Sequence, residues 1–155
     1  MAQNALDVRT VRPGDPGWDA HVDLFADYRV HYDQDRDPQR CDRWLREQLD
    51  AGRYRCYLAR SGPEGRTAGI ANVAVSPASI VLSSYWQIRD LYVAPDHRRH
   101  GVGRGLVDAV VGDARAVGAA RVSLQTEVGN DRAVALYRSA GFEVVDELTM
   151  LNLML

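Results

Sequence analysis

The chain contains no lysine, only two cysteines, and no apolar stretch near the roughly 18 residues that a membrane-spanning helix needs. The absence of lysine excludes a Walker phosphate loop, because that motif requires Gly-Lys-Ser/Thr. Cys41 and Cys56 lack the spacing of a metal or redox motif, so we expect two free thiols and a reducing compartment. With no signal-peptide pattern at the N-terminus, we expect a cytoplasmic protein.

The net charge is small and gives the chain no overall attraction for polyanions. At −2 it favours neither nucleic acid nor an anionic membrane as a partner, and we expect neither. The 155 residues, 46% of them hydrophobic, suffice for one domain with its own core. No repeat or linker divides the sequence, so we expect a single domain over residues 1–155.

A glycine- and arginine-rich segment is the most informative feature present. Its residues are Arg98, Arg99, His100, Gly101, Val102, Gly103, Arg104 and Gly105. A β-favouring segment, Ile88–Val93, precedes it, and a helical apolar pattern follows it. Glycines let backbone N–H groups approach a ligand, and a helix N-terminus attracts anions, so we expect a pyrophosphate site. The dinucleotide fingerprint Gly-x-Gly-x-x-Gly is not met, and a solvated loop is the alternative.

The periodicity along the chain predicts an α/β fold with a mixed, mostly antiparallel twisted sheet and flanking helices. Strands are expected at 6–12, 54–60, 68–75, 81–93, 120–126, 142–147 and 149–155. Helices are expected at 15–33, 38–52, 102–117 and 130–141. Parallel pairing is expected only around the helix that follows the glycine-rich segment.

A second motif lies one helix and one strand downstream. It comprises Asn130, Ala133, Leu136, Tyr137, Gly141 and Phe142. Together the two segments resemble the Arg/Gln-x-x-Gly-x-Gly/Ala and Asn-x-x-Ala-x-x-Leu-Tyr-x-x-x-Gly-Phe motifs of the GCN5-related N-acetyltransferases (GNAT family). The resemblance implies the family fold, with a central parallel strand pair that splays apart. It also implies acetyl-coenzyme A as co-substrate and no metal.

The resemblance further implies how the co-substrate is held. Backbone N–H groups of residues 99–105 would bind the pyrophosphate. The edge of Leu91, Tyr92 and Val93 would pair with the pantetheine arm like another strand. Asn130 would contact the coenzyme. Relatives often pair through their C-terminal strands, so we expect a homodimer, and the apolar segment 149–155 is suited to that contact.

Two residues are the candidate catalytic groups. Tyr137 occupies the position at which the family places a proton donor for the coenzyme A sulfur, and a core tyrosine is the alternative. Asp90 is the only carboxylate on the strand before the glycine-rich segment, which makes it a candidate base or amine anchor. A salt-bridged structural acid is the alternative there. Strict alternation puts Ile88, Asp90 and Tyr92 on one face of that strand.

The acceptor is predicted to be the primary amine of a small molecule. Residues 89–93, Arg-Asp-Leu-Tyr-Val, resemble the Glu-Asp-hydrophobic-Tyr/Phe-Val of polyamine-type acetyltransferases, with Arg89 as a departure. Tyr32 and Asp33 are candidate acceptor contacts. Aspartates at 15, 19, 23 and 27 form a stripe that either attracts a cationic amine or is a solvated helix face. His97 and His100 lack a third ligand at metal spacing, so a surface loop is expected.

Two other functions remain open from the sequence. The acceptor could be a protein or peptide instead of a small molecule. The chain could also be a non-catalytic acyl-coenzyme A sensor or interaction module, because a fold alone does not separate these roles from an enzyme. Retention of Tyr137 favours the enzyme.

Overall fold

The computed structural model of the protein describes residues 6–155. The predicted domain, 1–155, begins with five residues that lie outside the described range. Ten elements follow one another along the chain: β1 (Asp7–Val11), α1 (Trp18–Val30), α2 (Pro38–Asp50), β2 (Tyr54–Ser61), β3 (Arg66–Ala78), β4 (Ser83–Val93), a 3-10 turn (Pro95–His97), α3 (Val102–Ala116), β5 (Arg121–Leu124) and α4 (Asp131–Ser139).

The five strands form one mixed sheet in the order β1-β2-β3-β4-β5. The first four strands pair antiparallel, and β5 lies parallel to β4. Helix α3 makes the crossover that a parallel connection requires. The predicted fold class is therefore confirmed, but the parallel pair lies at one edge of the sheet and not at its centre.

The sheet is covered on both faces, and each face has its own core. On one face α3 packs against the sheet around Val102, Leu106 and Trp86. On the other face α1 and α2 pack around Trp18, Leu45 and other buried side chains.

A β-bulge interrupts β4 and corrects the expected alternation. Asn72 pairs with Asp90, but the next residue of β3, Val73, pairs with Ile88, so Arg89 is the extra residue. Ile88 therefore belongs to the core under α3, whereas Tyr92 belongs to the core under α1 and α2. The prediction that Ile88 shares a face with Asp90 and Tyr92 was wrong, because one inserted residue shifts every following side chain to the opposite face.

The two final strands expected at 142–147 and 149–155 are not formed. Phe142 still packs against the α3 core, and its N–H bonds to the carbonyl of Tyr137 at 3.0 Å. Residues 143–155 carry no strand and are exposed. Apolar composition gave the segment a strand pattern, but strand formation depends on pairing and burial rather than on the pattern itself.

No helix in the described part of the chain is long and apolar enough to cross a membrane.

Candidate active site

The glycine-rich segment forms a left-handed turn that opens α3. Gly101 has φ 78° and is the residue before the helix, and Arg99 also has a positive φ of 65°. The first helical hydrogen bond runs from Gly105 N to Gly101 O at 2.9 Å. The N–H groups of residues 102–104 consequently lack partners within the helix and point out of its positive end. These are the donors that an anion needs.

Other parts of the predicted loop are already engaged. The Arg104 guanidinium binds Asp108 at 2.8 Å and the carbonyl of Ser139 at 3.0 Å, which joins α3 to α4. The Val102 side chain is buried in the core. The N–H of Gly105 is used by the helix, and a Cβ at this position would clash with the side chain of Leu6. The donors that remain for a ligand are backbone groups of residues 99–104.

The end of β4 has a free edge next to this loop. Strand β5 pairs with β4 only from Tyr85 to Ile88, whereas β3 pairs with β4 as far as Val93. The edge of residues 89–93 on the β5 side therefore has backbone groups to offer to an extended ligand. Arg98 closes the end of this edge, because its Nε donates to the carbonyl of Val93 at 3.0 Å. Leu91 and Val93 pack toward the α3 core.

Asp90 directly follows Arg89, the extra residue of the bulge, and is partly buried. Its Oδ2 accepts a hydrogen bond from Nδ2 of Asn72 at 2.9 Å. Burial raises the pKa of the Asp90 carboxyl, and the Asn72 bond and the Arg89 charge act in the lowering direction. The salt bridge considered as an alternative is not formed among the described residues.

Aromatic side chains surround the cleft next to Asp90. The ring of Tyr28 on α1 lies 5.7 Å from that of Tyr92 and 5.1 Å from that of Tyr32. The His31 ring lies 5.6 Å from the Tyr92 ring. Burial, and then the hydroxyl of Tyr32 and the charge of Asp90, raise the pKa of Tyr28, so this residue lies close to both groups.

Tyr137 reaches the same cleft from α4. Burial raises the pKa of Tyr137, with a smaller contribution from Tyr32, and Tyr137 in turn acts on Tyr28. Its hydroxyl therefore stays protonated at neutral pH. The structure thus brings Asp90, Tyr32 and Tyr137 together around Tyr28.

Asn130 stabilises the start of α4 in the described part of the chain. Its Oδ1 accepts from the N–H of Ala133 at 3.2 Å, which caps α4, and its Nδ2 donates to Thr126 at 3.3 Å. The cap fixes the start of the short helix that carries Tyr137.

Neither cysteine is chemically prepared as a nucleophile. Cys56 lies opposite Asn72 in the register of β2 and β3, so it lies near Asp90 although it is far from both motifs in the sequence. Burial, and then the Asp90 charge, raise the pKa of Cys56 to about 12, and burial raises that of Cys41. A thiol that stays protonated is a poor nucleophile.

Several other sequence candidates lie away from the cleft. Asp33 follows α1 in an exposed turn with φ 56°, and none of the cleft contacts described above involves it. In the acidic stripe, Asp23 and Asp27 bind the Arg36 guanidinium at 3.2 and 2.7 Å, so part of the stripe is neutralised. Within residues 6–155, no three side chains of histidine, cysteine or acid lie close enough to hold a metal ion.

Sequence reasoning missed two buried residues of the site, Asn72 and His21. His21 Nε2 lies 2.8 Å from Asn72 Oδ1, and both residues are 0% exposed. One signal was available, because Asn72 is the only strongly polar residue in the apolar run Ala68–Val75. A lone amide inside a buried strand needs a hydrogen-bond partner.

A glycine turn at a helix start, a free strand edge beside it and a partly buried tyrosine on α4 are the combination that the sequence resemblance implied. The profile of the Acetyltransferase (GNAT) family matches residues 18–142. The chain belongs to the GNAT family of acetyltransferases. Members of this family use acetyl-coenzyme A as co-substrate, and the donors of residues 99–104 suit its pyrophosphate.

Similar proteins agree with this assignment. The chain is 28% identical over 138 residues to the uncharacterized N-acetyltransferase YhfO of Bacillus subtilis (strain 168), covering 89% of this chain and 90% of that protein. The crystal structure of a probable acetyltransferase superposes with a TM-score of 0.80, at 28% identity and 97% coverage of both chains. An aminoglycoside acetyltransferase from an uncultured soil metagenomic sample shares the fold, with a TM-score of 0.79 at 18% identity over 97% of this chain and 96% of that chain.

Proposed function

We propose that this GNAT-family enzyme transfers an acetyl group directly from acetyl-coenzyme A to the primary amine of a small molecule. The observation that carries the proposal is the position of Asp90. This partly buried carboxylate lies close to the aromatic side chains of Tyr28 and Tyr54, on the part of β4 that β5 does not cover. A carboxylate among aromatic rings suits a cationic amine, which is attracted by both the charge and the ring faces.

The co-substrate would lie along the splayed edge. The pyrophosphate would bind backbone N–H groups between Arg99 and Arg104, helped by the positive end of α3. The pantetheine arm would pair with the edge of residues 91–93, which brings the thioester toward Asp90 and Tyr137. Arg98 would have to release the Val93 carbonyl or share it, because its Nε occupies that acceptor.

The chemistry follows from the two titratable groups. The acceptor arrives as an ammonium ion, and Asp90, directly or through water, removes one proton so that the nitrogen lone pair can attack the acetyl carbon. The C–N bond forms and the C–S bond breaks as the tetrahedral intermediate collapses. Tyr137 donates its hydroxyl proton to the departing sulfur and regains one from the nitrogen through solvent. One of the two protons lost by the amine thus ends on coenzyme A, and the other goes to solvent.

Direct transfer is supported by the state of the cysteines. A two-step route through an acetylated enzyme would need an activated thiolate, but burial raises the pKa of both thiols. A ternary complex, in which both substrates are bound together, fits the cleft better.

A polyamine-like acceptor is supported only in part. The cluster of Tyr28, Tyr32 and Tyr92 beside Asp90 favours a cation, but Arg89 places a positive charge on the neighbouring bulge. A second ammonium group would be repelled there. We therefore favour an acceptor with one amine near Asp90 over a long polyamine.

A screen of acceptors tests the proposal. The enzyme is incubated with acetyl-coenzyme A and, in separate arms, with small primary amines, polyamines and peptides, and free coenzyme A thiol is measured. We expect release above the hydrolysis background with small amines. Release only with peptides would favour protein acetylation. Tight binding of acetyl-coenzyme A in a calorimeter with no release in any arm would favour a sensor.

We also propose that the protein is a cytoplasmic homodimer. Both cysteines are free and buried. Segment 149–155 exposes several apolar side chains, among them Leu151, Leu153 and Met154, and the outer edge of β5 could receive such a segment from a second copy. Light scattering should give twice the monomer mass at micromolar concentration, and a monomer mass would contradict the proposal.

A further inference from the structure

A chain of three polar side chains runs from the buried interior to the acceptor cleft. His21 on α1 contacts Asn72 on β3 at 2.8 Å, and Asn72 contacts Asp90 on β4 at 2.9 Å. His21 and Asn72 are both fully buried. Buried polar groups of this kind cost stability unless they are hydrogen-bonded, so their presence in an otherwise apolar layer calls for a physical reason.

The direction of these hydrogen bonds is fixed by the chemistry of the groups. An ionised carboxylate only accepts, so Asn72 must present Nδ2 to Asp90 and Oδ1 to His21. Nε2 of His21 therefore carries the proton and donates, which leaves Nδ1 as a lone pair. Within residues 6–155 this Nδ1 has no partner at hydrogen-bond geometry, although the backbone of Tyr57 lies near enough to the ring to act on the pKa of His21 in the raising direction. Burial lowers the pKa of His21 to about 4, so the ring is neutral in the working range.

A neutral chain of donors acts on Asp90 in two ways. Its terminal N–H favours the ionised carboxylate and works against the effect of burial. It also holds Oδ2, which leaves Oδ1 to face an incoming amine. Hydrogen bonds in series polarise one another, so the His21 donor strengthens the Asn72 donor.

We propose that Asn72, and through it His21, are positioning residues that keep Asp90 ionised and orient its Oδ1 toward the amine. This inference rests on the proposed function, in which Asp90 is the base. The competing explanation is a purely structural role, in which the chain fills the core and changes only stability.

The surroundings of Asp90 make the two explanations separable. The titratable or charged groups around it are Arg89 on its own strand, His21 and Tyr28 on α1, and Tyr54 and Cys56 on β2. The pKa of His21 is about 4, that of Cys56 is about 12, and burial raises those of both tyrosines. Because the Asp90 carboxyl is followed by its own signal, its titration is separable from those of these neighbours.

The experiment measures the Asp90 carboxyl directly and then the reaction. The side-chain carboxyl of Asp90 is followed by 13C NMR against pH, assigned by its loss in Asp90→Asn. Asn72→Leu removes the donor with little change of volume. Tyr57→Phe is the control, because it deletes a partly buried hydrogen bond to Asp113 on the other face of the same sheet. The pH profile of kcat/KM is recorded for the same variants.

We expect the titration midpoint of Asp90 to rise by on the order of 1–2 pH units in Asn72→Leu, because a bond to a charged group is lost. The pH midpoint of the acid limb of the kcat/KM profile should rise by the same amount. Tyr57→Phe should move neither, although it lowers stability. His21→Phe should shift both in the same direction by less, and His21→Gln, which keeps a neutral N–H donor, should restore them. The His21 pair answers the question if Asn72→Leu does not fold.

Midpoints in Asn72→Leu and His21→Phe that equal those of wild type would overturn the inference and leave the chain a structural role. A carboxyl midpoint that moves while the acid limb stays fixed would support the hold of Asn72 on Asp90. The same result would remove Asp90 from the role of base in the proposed function.

Discussion

The two ends of the candidate active site are built in opposite ways. The proposed co-substrate end offers backbone groups of one continuous segment, residues 99–104, together with the adjacent strand edge. The acceptor end uses side chains from α1, β3 and β4 that are far apart in the chain and meet through buried hydrogen bonds. The first is an exposed surface of N–H groups, and the second is a polar chain inside a core.

This difference separates what each end can tolerate. Backbone donors survive most substitutions that leave the turn intact, because no particular side chain supplies them. A series of buried, hydrogen-bonded side chains is disrupted when one member is removed, because its neighbours are left without hydrogen-bond partners. Specificity for the acceptor is therefore expected to change more readily by mutation than recognition of the co-substrate.

Tyr137, the proposed proton donor on α4, gives the largest expected effect. Tyr137→Phe keeps the ring but removes the proton for the departing sulfur. General acid catalysis contributes ~10²–10⁴-fold, so we expect kcat to fall by about this range with little change in co-substrate affinity. Steady-state kinetics with an acceptor from the screen, or slow hydrolysis of acetyl-coenzyme A, provides the measurement.

The control for this variant is Tyr85→Phe, at the start of β4, whose ring is covered by Arg121 at 4.2 Å. It should leave kcat unchanged. A fall of only a few-fold in Tyr137→Phe would mean that water protonates the sulfur, and Tyr137 would be a packing residue of α4. Lost co-substrate affinity at constant kcat would assign it to binding.

A negative charge introduced into the first turn of α3 tests the co-substrate end. Gly103→Asp adds a carboxylate in the first turn of α3, where a Cβ would meet Leu136 at an ordinary 3.4 Å. A like charge about 4 Å from the pyrophosphate costs about 4 kcal/mol at an effective dielectric constant of about 20, so we expect affinity to fall by on the order of 100- to 1000-fold. Calorimetric titration with coenzyme A measures it.

Gly112→Asp is the matched control, because Gly112 lies on the same helix with open space around its Cα. It adds the same charge away from the loop and should leave the affinity near that of wild type. Equal affinities in the two variants would exclude the glycine turn from the binding site.

The same contrast explains what the sequence could predict. Gly101, Gly103 and Tyr137 belong to local motifs, so their roles could be proposed from spacing. The Asn72–Asp90 and His21–Asn72 contacts join residues 18 and 51 positions apart, and the bulge that aims Asp90 depends on strand register. Register is set by pairing across the whole sheet and leaves no local pattern. The strands expected at 142–155 are not formed, because pairing and burial make a strand and an apolar pattern alone does not ensure either.

Acid should destabilise the acceptor end more than the co-substrate end. The pKa of His21 falls from 6.5 to about 4 on folding. Between these two pH values the His21 ring is protonated in the unfolded chain and neutral in the folded chain, which favours unfolding. The free energy of unfolding should drop by about 3 kcal/mol between about pH 6.5 and 4, and remain unaffected by His21 above that range. Urea unfolding at several pH values, comparing wild type with His21→Gln, isolates this contribution from the carboxylates.

His100→Gln is the control at the co-substrate end, because His100 is exposed in the glycine turn. The unfolding free energy of His100→Gln should depend on pH in the same way as that of wild type. Curves for wild type and His21→Gln that stay parallel between pH 6.5 and 4 would show that the His21 ring is not held neutral in the folded protein.

The smallest expected effect concerns Asn130, where a structural and a binding role overlap. The family resemblance gives Asn130 a contact with the coenzyme, but its Oδ1 is used to cap α4. Asn130→Ala should lower the unfolding free energy by about 1 kcal/mol through loss of the cap, and Asn130→Asp should retain it. If capping is the whole role, Asn130→Asp also keeps the co-substrate affinity measured by calorimetry. A weaker affinity in Asn130→Asp at unchanged stability would instead show that the Nδ2 group contacts the coenzyme. In that case the co-substrate end, like the acceptor end, would depend on a particular side chain.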